Sequence, residues 1–191
     1  AAGRPIKCKC ADERLKKATI KTKALLGYCK KGWRTTNIVK AHVMGATMYG
    51  ARIMGVKPQH LAKIRALICS TTSYTIGGSS ATAVMSLQKS RLLDPAYTAI
   101  GLPVLEWAMR VNKAHYEEDA RAKQLHKNAW EAQKRIIFTA DDPWQHVCGP
   151  ASAVMATLRG INWVPRAYYE WATDDGRRIN LHEQVPYFVR H

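Results

Sequence analysis

The chain has 191 residues, 47% of them hydrophobic, and a formal net charge of +16. That apolar fraction can bury a core and excludes wholesale disorder, and the length suits one domain of ordinary size or two small lobes. No run of about 18 apolar residues is present, which excludes a transmembrane helix.

The charge is unevenly placed. Residues 1–93 hold 18 of the 30 Lys and Arg but only two acids, Asp12 and Glu13, and from Arg14 to Leu93 there is none. Residues 94–191 hold 12 residues of each sign. A surface without acids cannot neutralise its own cations by ion pairing, so it calls for a polyanion, and nucleic acid gains affinity by releasing counterions when Lys and Arg replace them. The first half therefore reads as a phosphate-facing module, with RNA as the favoured ligand. The alternatives are a merely soluble basic domain, or one that docks on acidic proteins or an anionic membrane.

In chain order, residues 1–34 are basic, poor in apolar periodicity and broken by Pro5, Gly27 and Gly32. They read as an extended basic arm with a short strand at Ala24–Tyr28. Tyr28 and Trp33 lie among Lys30, Lys31 and Arg34, an interleaving that suits base stacking beside phosphate contacts. The competing reading is that one ring anchors the arm on the core. The expected nucleic-acid contacts are Lys16, Lys17, Lys21, Lys23, Tyr28, Lys30, Lys31, Trp33, Arg34 and Lys40, and they should touch phosphates more than base edges.

Cys8, Cys10, Cys29, Cys69 and Cys148 are odd in number and lack framework spacing, so reduced thiols in an intracellular compartment are expected. A zinc site on Cys8, Cys10 and Cys29 is disfavoured, because one residue between cysteines is not knuckle spacing and no His comes before His42. Neither a metal nor a cofactor is expected.

Residues 35–93 read as a basic helical lobe. Thr35 or Thr36 can cap a helix bearing Ile38, Val39, Val43, Met44 and Met48 that ends near Gly50–Gly55. Pro58 fits the first turn of a second helix, with Leu61, Ile64, Leu67 and Ile68 on one face. Gly77-Gly78-Ser79-Ser80 leads into a short helix at Ala81–Gln88, and without a following GK[ST] it is no phosphate loop. Residues 94–191 read as a charge-neutral helical lobe. Pro103 can open a long helix to about residue 137, and Asp141-Asp142-Pro143 can stop it. Gly149-Pro150 can start a helix over Ala151–Leu158, closed by Gly160. Tyr168–Ala172 and Arg177–Leu181 flank Thr173-Asp174-Asp175-Gly176 as a hairpin.

No catalytic constellation emerges. Phe138-Thr139-Ala140-Asp141-Asp142 has the look of a polymerase aromatic-x-Asp-Asp signature, but two-metal chemistry needs a further upstream carboxylate and residues 14–93 contain none. His42, His60, His115, His126, His146, His182 and His191 are scattered, and His146 and Cys148 are too close in sequence to meet as base and nucleophile without a special turn. The chain is not expected to be an enzyme. Five of the six Trp lie beyond residue 94 (107, 130, 144, 163 and 171), and most should be core. Some of the hairpin rings and the tail Pro186-Tyr187-Phe188-Val189 are candidates for a protein-docking patch, giving the C-terminal lobe protein partners.

Several stretches together are similar to one family. Lys23-Ala24-Leu25-Leu26-Gly27-Tyr28 resembles the strand beyond the catalytic palm of non-LTR retroelement reverse transcriptases. Ala46-Thr47-Met48-Tyr49-Gly50-Ala51 and His60–Cys69 resemble the two helices that follow. Asp142-Pro143-Trp144, Gly149-Pro150-Ala151, Ile161-Asn162-Trp163 and Trp171-Ala172-Thr173-Asp174-Asp175-Gly176 resemble a downstream segment of dinoflagellate-type elements. The resemblance implies a thumb and connection region that contacts template–primer backbone and carries no chemistry.

The expected fold is mainly α (α+β): a helical bundle with a basic extended N-terminal arm and a C-terminal β-hairpin. The expected function is a non-catalytic RNA-binding protein, reverse-transcriptase-derived, serving as a structural subunit of an organellar ribonucleoprotein such as a ribosome. The alternatives are a fragment of an active reverse transcriptase or an assembly subunit of a protein or membrane complex. A start without Met and without an apolar signal core is open to several readings, among them removal of an organelle-targeting segment and excision from a longer polyprotein; the expected compartment is a mitochondrion or plastid, with the nucleus as the alternative.

Overall fold

The computed structural model describes residues 9–31, 33, 35–72, 80–87 and 93–184. The first of them overturn the extended arm and the strand at Ala24–Tyr28: Lys9–Lys30 is one α-helix of 22 residues, α1. Leu15, Ala18, Thr22, Leu25, Leu26 and Cys29 recur at helical spacing and lie on its inward side, with Ala18 and Thr22 each only 1% exposed. Ala and Thr weigh little on a hydrophobicity scale, so the inward stripe is faint in the sequence. Gly27, which suggested a break, sits within the helix at a cost of about 1 kcal/mol relative to Ala.

The chain divides into two compact units. One comprises Val56–Ala99 and the described part of Lys7–Tyr49. In it α1 packs against the π-helical turn Val39–Met44, which α2 (Thr36–Ile38) leads into, and α3 (Gly45–Thr47) on one side and α5 (Pro58–Thr72) on the other. Val39, Val43, Met44, Met48, Ile64 and Ile68 fill the space, whereas Ile38 faces out. A buried Thr35 hydroxyl donates to the Thr71 carbonyl at 2.5 Å, joining the two ends of this arrangement. The short α6 (Ala81–Ser86) packs on α5.

The other unit contains Gly50–Gly55 and the described residues from Ile100 onward. The long helix expected from Pro103 to residue 137 is two helices, α7 (Pro95–Tyr116) and α8 (Ala120–Thr139). Asp94 accepts from the Ala96 N–H and starts α7 early, leaving Pro103 inside the helix. The break comes where Glu118 takes a left-handed φ of 53° and Asp119 caps α8 by accepting from the Ala122 N–H. A 3-10 turn at Pro143–Gln145 follows, with Asp142 accepting from the Trp144 N–H. Asp142 is thus a cap.

The centre of this unit is α9 (Pro150–Gly160), whose residues Ala151 to Leu158 are all buried. Its small side chains let neighbours approach on every side: α4 (Ala51–Met54), α8 and the sheet. The sheet is antiparallel in the order β1 (Val164–Ala167), β2 (Glu170–Ala172), β3 (Arg178–Asn180). The expected hairpin is therefore present and carries a third strand at its outer side. Its register pairs Trp171 with Ile179, and Gly176 closes the turn at φ 83°. Trp107, Trp130 and Trp171 are core, and the Trp107 indole N–H donates to the Tyr168 carbonyl at 2.8 Å. No described helix is long and apolar enough to cross a membrane.

Candidate nucleic-acid interface

With one side of α1 buried, its outward arc carries cations on both sides of the exposed Ile20. Lys16, Lys23 and Lys30 are spaced by seven residues, close to two helical turns, so they form one exposed row along the axis. Lys17, Lys21 and Tyr28 form a second exposed row, roughly 130° round the axis from the first. Asp12 and Glu13 precede both rows, and Asp12 is engaged at 2.9 Å with His60 of α5. Lys16, Lys17, Lys21, Lys23, Lys31 and Lys40 pair with no carboxylate among the described residues.

Two arginines of this unit are committed elsewhere. Arg14 lies 4.5 Å over the Tyr49 ring and donates to the Tyr49 carbonyl, tying α1 to the end of α3. Arg65 pairs with Asp94 at 3.1 Å. Arg65 also opposes the effect of burial on the neighbouring Cys69, whose thiol is pushed up from its ordinary value by desolvation.

Beyond α1 the chain folds back, as the Lys31 and Trp33 N–H groups both donate to the Tyr28 carbonyl. This brings the Tyr28 and Trp33 rings together edge to face, with centroids 6.1 Å apart. Both rings stay open, at 53% and 66% exposure, so neither anchors this segment in the core. An edge-to-face pair leaves ring faces for a third aromatic group, which is what base stacking requires. Of the expected contact residues, α1 thus gathers Lys16, Lys17, Lys21, Lys23, Tyr28 and Lys30, and Lys31 and Trp33 follow directly. Lys40 is exposed on the π-helical turn, and Arg34 lies outside the described residues.

Among the described residues no group of three or more His, Cys, Asp or Glu could hold a metal ion. Cys8 lies outside those residues. Cys148 is exposed, its N–H donating to the Ser152 hydroxyl that caps α9. The tail Pro186-Tyr187-Phe188-Val189 also lies outside them.

One aromatic cluster in the other unit joins residues far apart in the chain and has no local sequence signal. His182 is sandwiched between His115, at 4.2 Å, and Tyr169, at 4.4 Å, with all three rings nearly parallel. Burial, and then the neighbouring His115 and Lys123, hold His182 below its ordinary value. Asn112 fastens the same segment by donating to the Leu181 carbonyl at 3.1 Å. These contacts hold the chain after β3 against α7, an anchoring role.

No protein-family model matches this chain, and neither does any curated protein or solved structure.

Proposed function

We propose that the protein is a non-catalytic RNA-binding protein whose principal contact is the outward arc of α1 and the Tyr28–Trp33 pair behind it. The observation that carries this reading is the pair of lysine rows on a helix whose exposed arc has no acid after Glu13. Such an arc repels itself in water and is relieved by phosphates, with affinity supplied by counterion release. Two rows on either side of one helix reach two phosphate tracks, or one strand that bends around it. Lysine is a point-charge donor with no planar fork for base edges, so recognition is of backbone shape. The open ring pair adds stacking for an unpaired base where the helix ends. The resemblance to the region downstream of a reverse-transcriptase palm agrees with backbone contact without chemistry, and we extend the proposal to a structural role in a ribonucleoprotein such as an organellar ribosome.

The test is fluorescence anisotropy with a labelled RNA hairpin carrying a single-stranded end. Reversal of Lys16, Lys23 and Lys31 to Glu is expected to abolish binding with the helix content unchanged. Reversal of Arg121 and Lys127, exposed on α8, is expected to change it little. Equal loss from both sets would remove the special role of α1.

A further inference from the structure

On the unit that does not contain α1, the C-terminal half of α8, the end of α9 and the start of β1 line an open groove of about 520 Å³. That is within the range of pockets that hold small ligands. Its wall is formed by Phe138 and Trp163, with Pro165 beside them, and its charged lining is Lys134 and Arg159 with no acid. Asn162 adds an amide to the lining. Arg159 is fixed there, because its Nη1 donates to the Ile137 and Ala140 carbonyls at 2.8 and 2.5 Å and so closes the end of α8. Lys134 pairs with no carboxylate among the described residues. The groove therefore combines flat apolar walls, a fixed cation, a movable cation and a two-way hydrogen-bonding amide.

We infer that this groove is a binding site for one nucleotide of a single strand, its base against the Trp163 and Phe138 rings and its phosphate on Lys134 and Arg159. An extended acidic peptide would satisfy the same charges, but it binds beside a strand through main-chain hydrogen bonds. Here β1 offers few: it spans only Val164–Ala167, and Pro165 has no N–H. A nucleotide needs no ladder, since its base has a face to stack and its phosphate is already dianionic or bridging. Asn162 stands with a left-handed φ of 59°, a conformation asparagine tolerates better than most residues, at the point where the chain turns from α9 into the groove wall.

The site stands apart from the α1 reading and is tested separately on the full chain. The protein, labelled with ¹⁵N, is titrated with 5′-AMP, adenosine, inorganic phosphate and a short polyglutamate peptide while the tryptophan indole N–H resonances are followed. The Trp163 signal is assigned by its loss in Trp163→Phe. AMP is expected to move that signal at lower concentration than adenosine or phosphate alone. Lys134→Glu is expected to weaken AMP about fivefold and leave adenosine nearly unchanged. The AMP response should survive reversal of Lys16 and Lys23, so failure of either site leaves the other standing. A Trp163 signal indifferent to AMP, an AMP affinity unaffected by Lys134→Glu, or a stronger response to polyglutamate would each overturn the assignment.

Discussion

Replacing Lys16, Lys17, Lys21 and Lys23 together by Gln removes four exposed cations from two turns of α1 while keeping good helix formers in place. All four are exposed and none belongs to the inward stripe of Ala18 and Thr22, so the fold should be unaffected. Each phosphate neutralised on a single strand contributes about 0.7 to the slope of log affinity against log salt, so losing four contacts lowers that slope by about 3. Between 50 and 200 mM salt this amounts to an affinity drop about 60-fold smaller than in the parent protein, on top of weaker binding at low salt. Anisotropy titrations at four or five salt concentrations measure the slope directly, with circular dichroism checking that helix content is retained. A variant whose slope stays within about 0.5 of the parent would show that α1 does not carry the phosphate contacts.

Three further outcomes are expected. Tyr28→Leu and Trp33→Leu, alone or together, should weaken RNA binding by about 1–3 kcal/mol per base unstacked and leave the salt slope untouched, since no charge is lost; a changed slope would argue against stacking. Gly55→Ala should lower the denaturant midpoint by about 1–3 kcal/mol equivalent, because Gly55 has φ 64° and a Cβ there would sit 2.5 Å from the Trp144 ring; an unchanged midpoint would mean that the ring moves freely. His126 and His182 are both held below the ordinary value of 6.5, chiefly by burial. The unfolded chain therefore binds more protons than the folded one just below that pH, so stability present above about 6.5 is lost as pH falls through the folded values. Urea midpoints at pH 7.5 and 5.5 should show the loss, and His126→Gln with His182→Gln should shrink it.

What could be read from the sequence was set by the strength of each local signal. The helix at α9 and the hairpin were visible because Gly149-Pro150, Gly160 and Asp174-Asp175-Gly176 punctuate them, and the observed elements fall at those marks. Pro58 likewise opens α5. The arm failed because three breakers, Pro5, Gly27 and Gly32, outweighed an inward stripe made of Ala18, Thr22 and scattered leucines. The split between α7 and α8 failed because Glu118 and Asp119 look like part of a charged helix face, and only their φ angles and the cap on Ala122 show otherwise. β1 was missed because Pro165 argues against a strand, yet it stands at an outer strand where a missing N–H costs nothing. The cationic residues themselves were legible from charge alone, but their sorting into two rows needed the helix. The groove at Trp163 and the ring stack on His182 join residues tens of positions apart, which no local pattern encodes.

The placement of Gly50–Gly55 also bears on how the protein is made. Ala51 is buried, Met54 packs on the core that contains Trp130 and Trp171, and α4 lies against α9. Translation delivers those six residues roughly 100 positions ahead of α9, which at about 5–20 residues per second is an interval of about 5–20 s. During that time α1, the π-helical turn and α5 can assemble while the segment Gly50–Gly55 waits for partners that do not yet exist. The nascent chain therefore passes through a stage in which the basic unit is complete, its outward lysines are displayed, and Ile53 and Met54 stand uncovered. A ribosome pause between residues 99 and 150 lengthens that stage, and the vulnerability it creates to aggregation or premature capture is a property of the connectivity, independent of final stability.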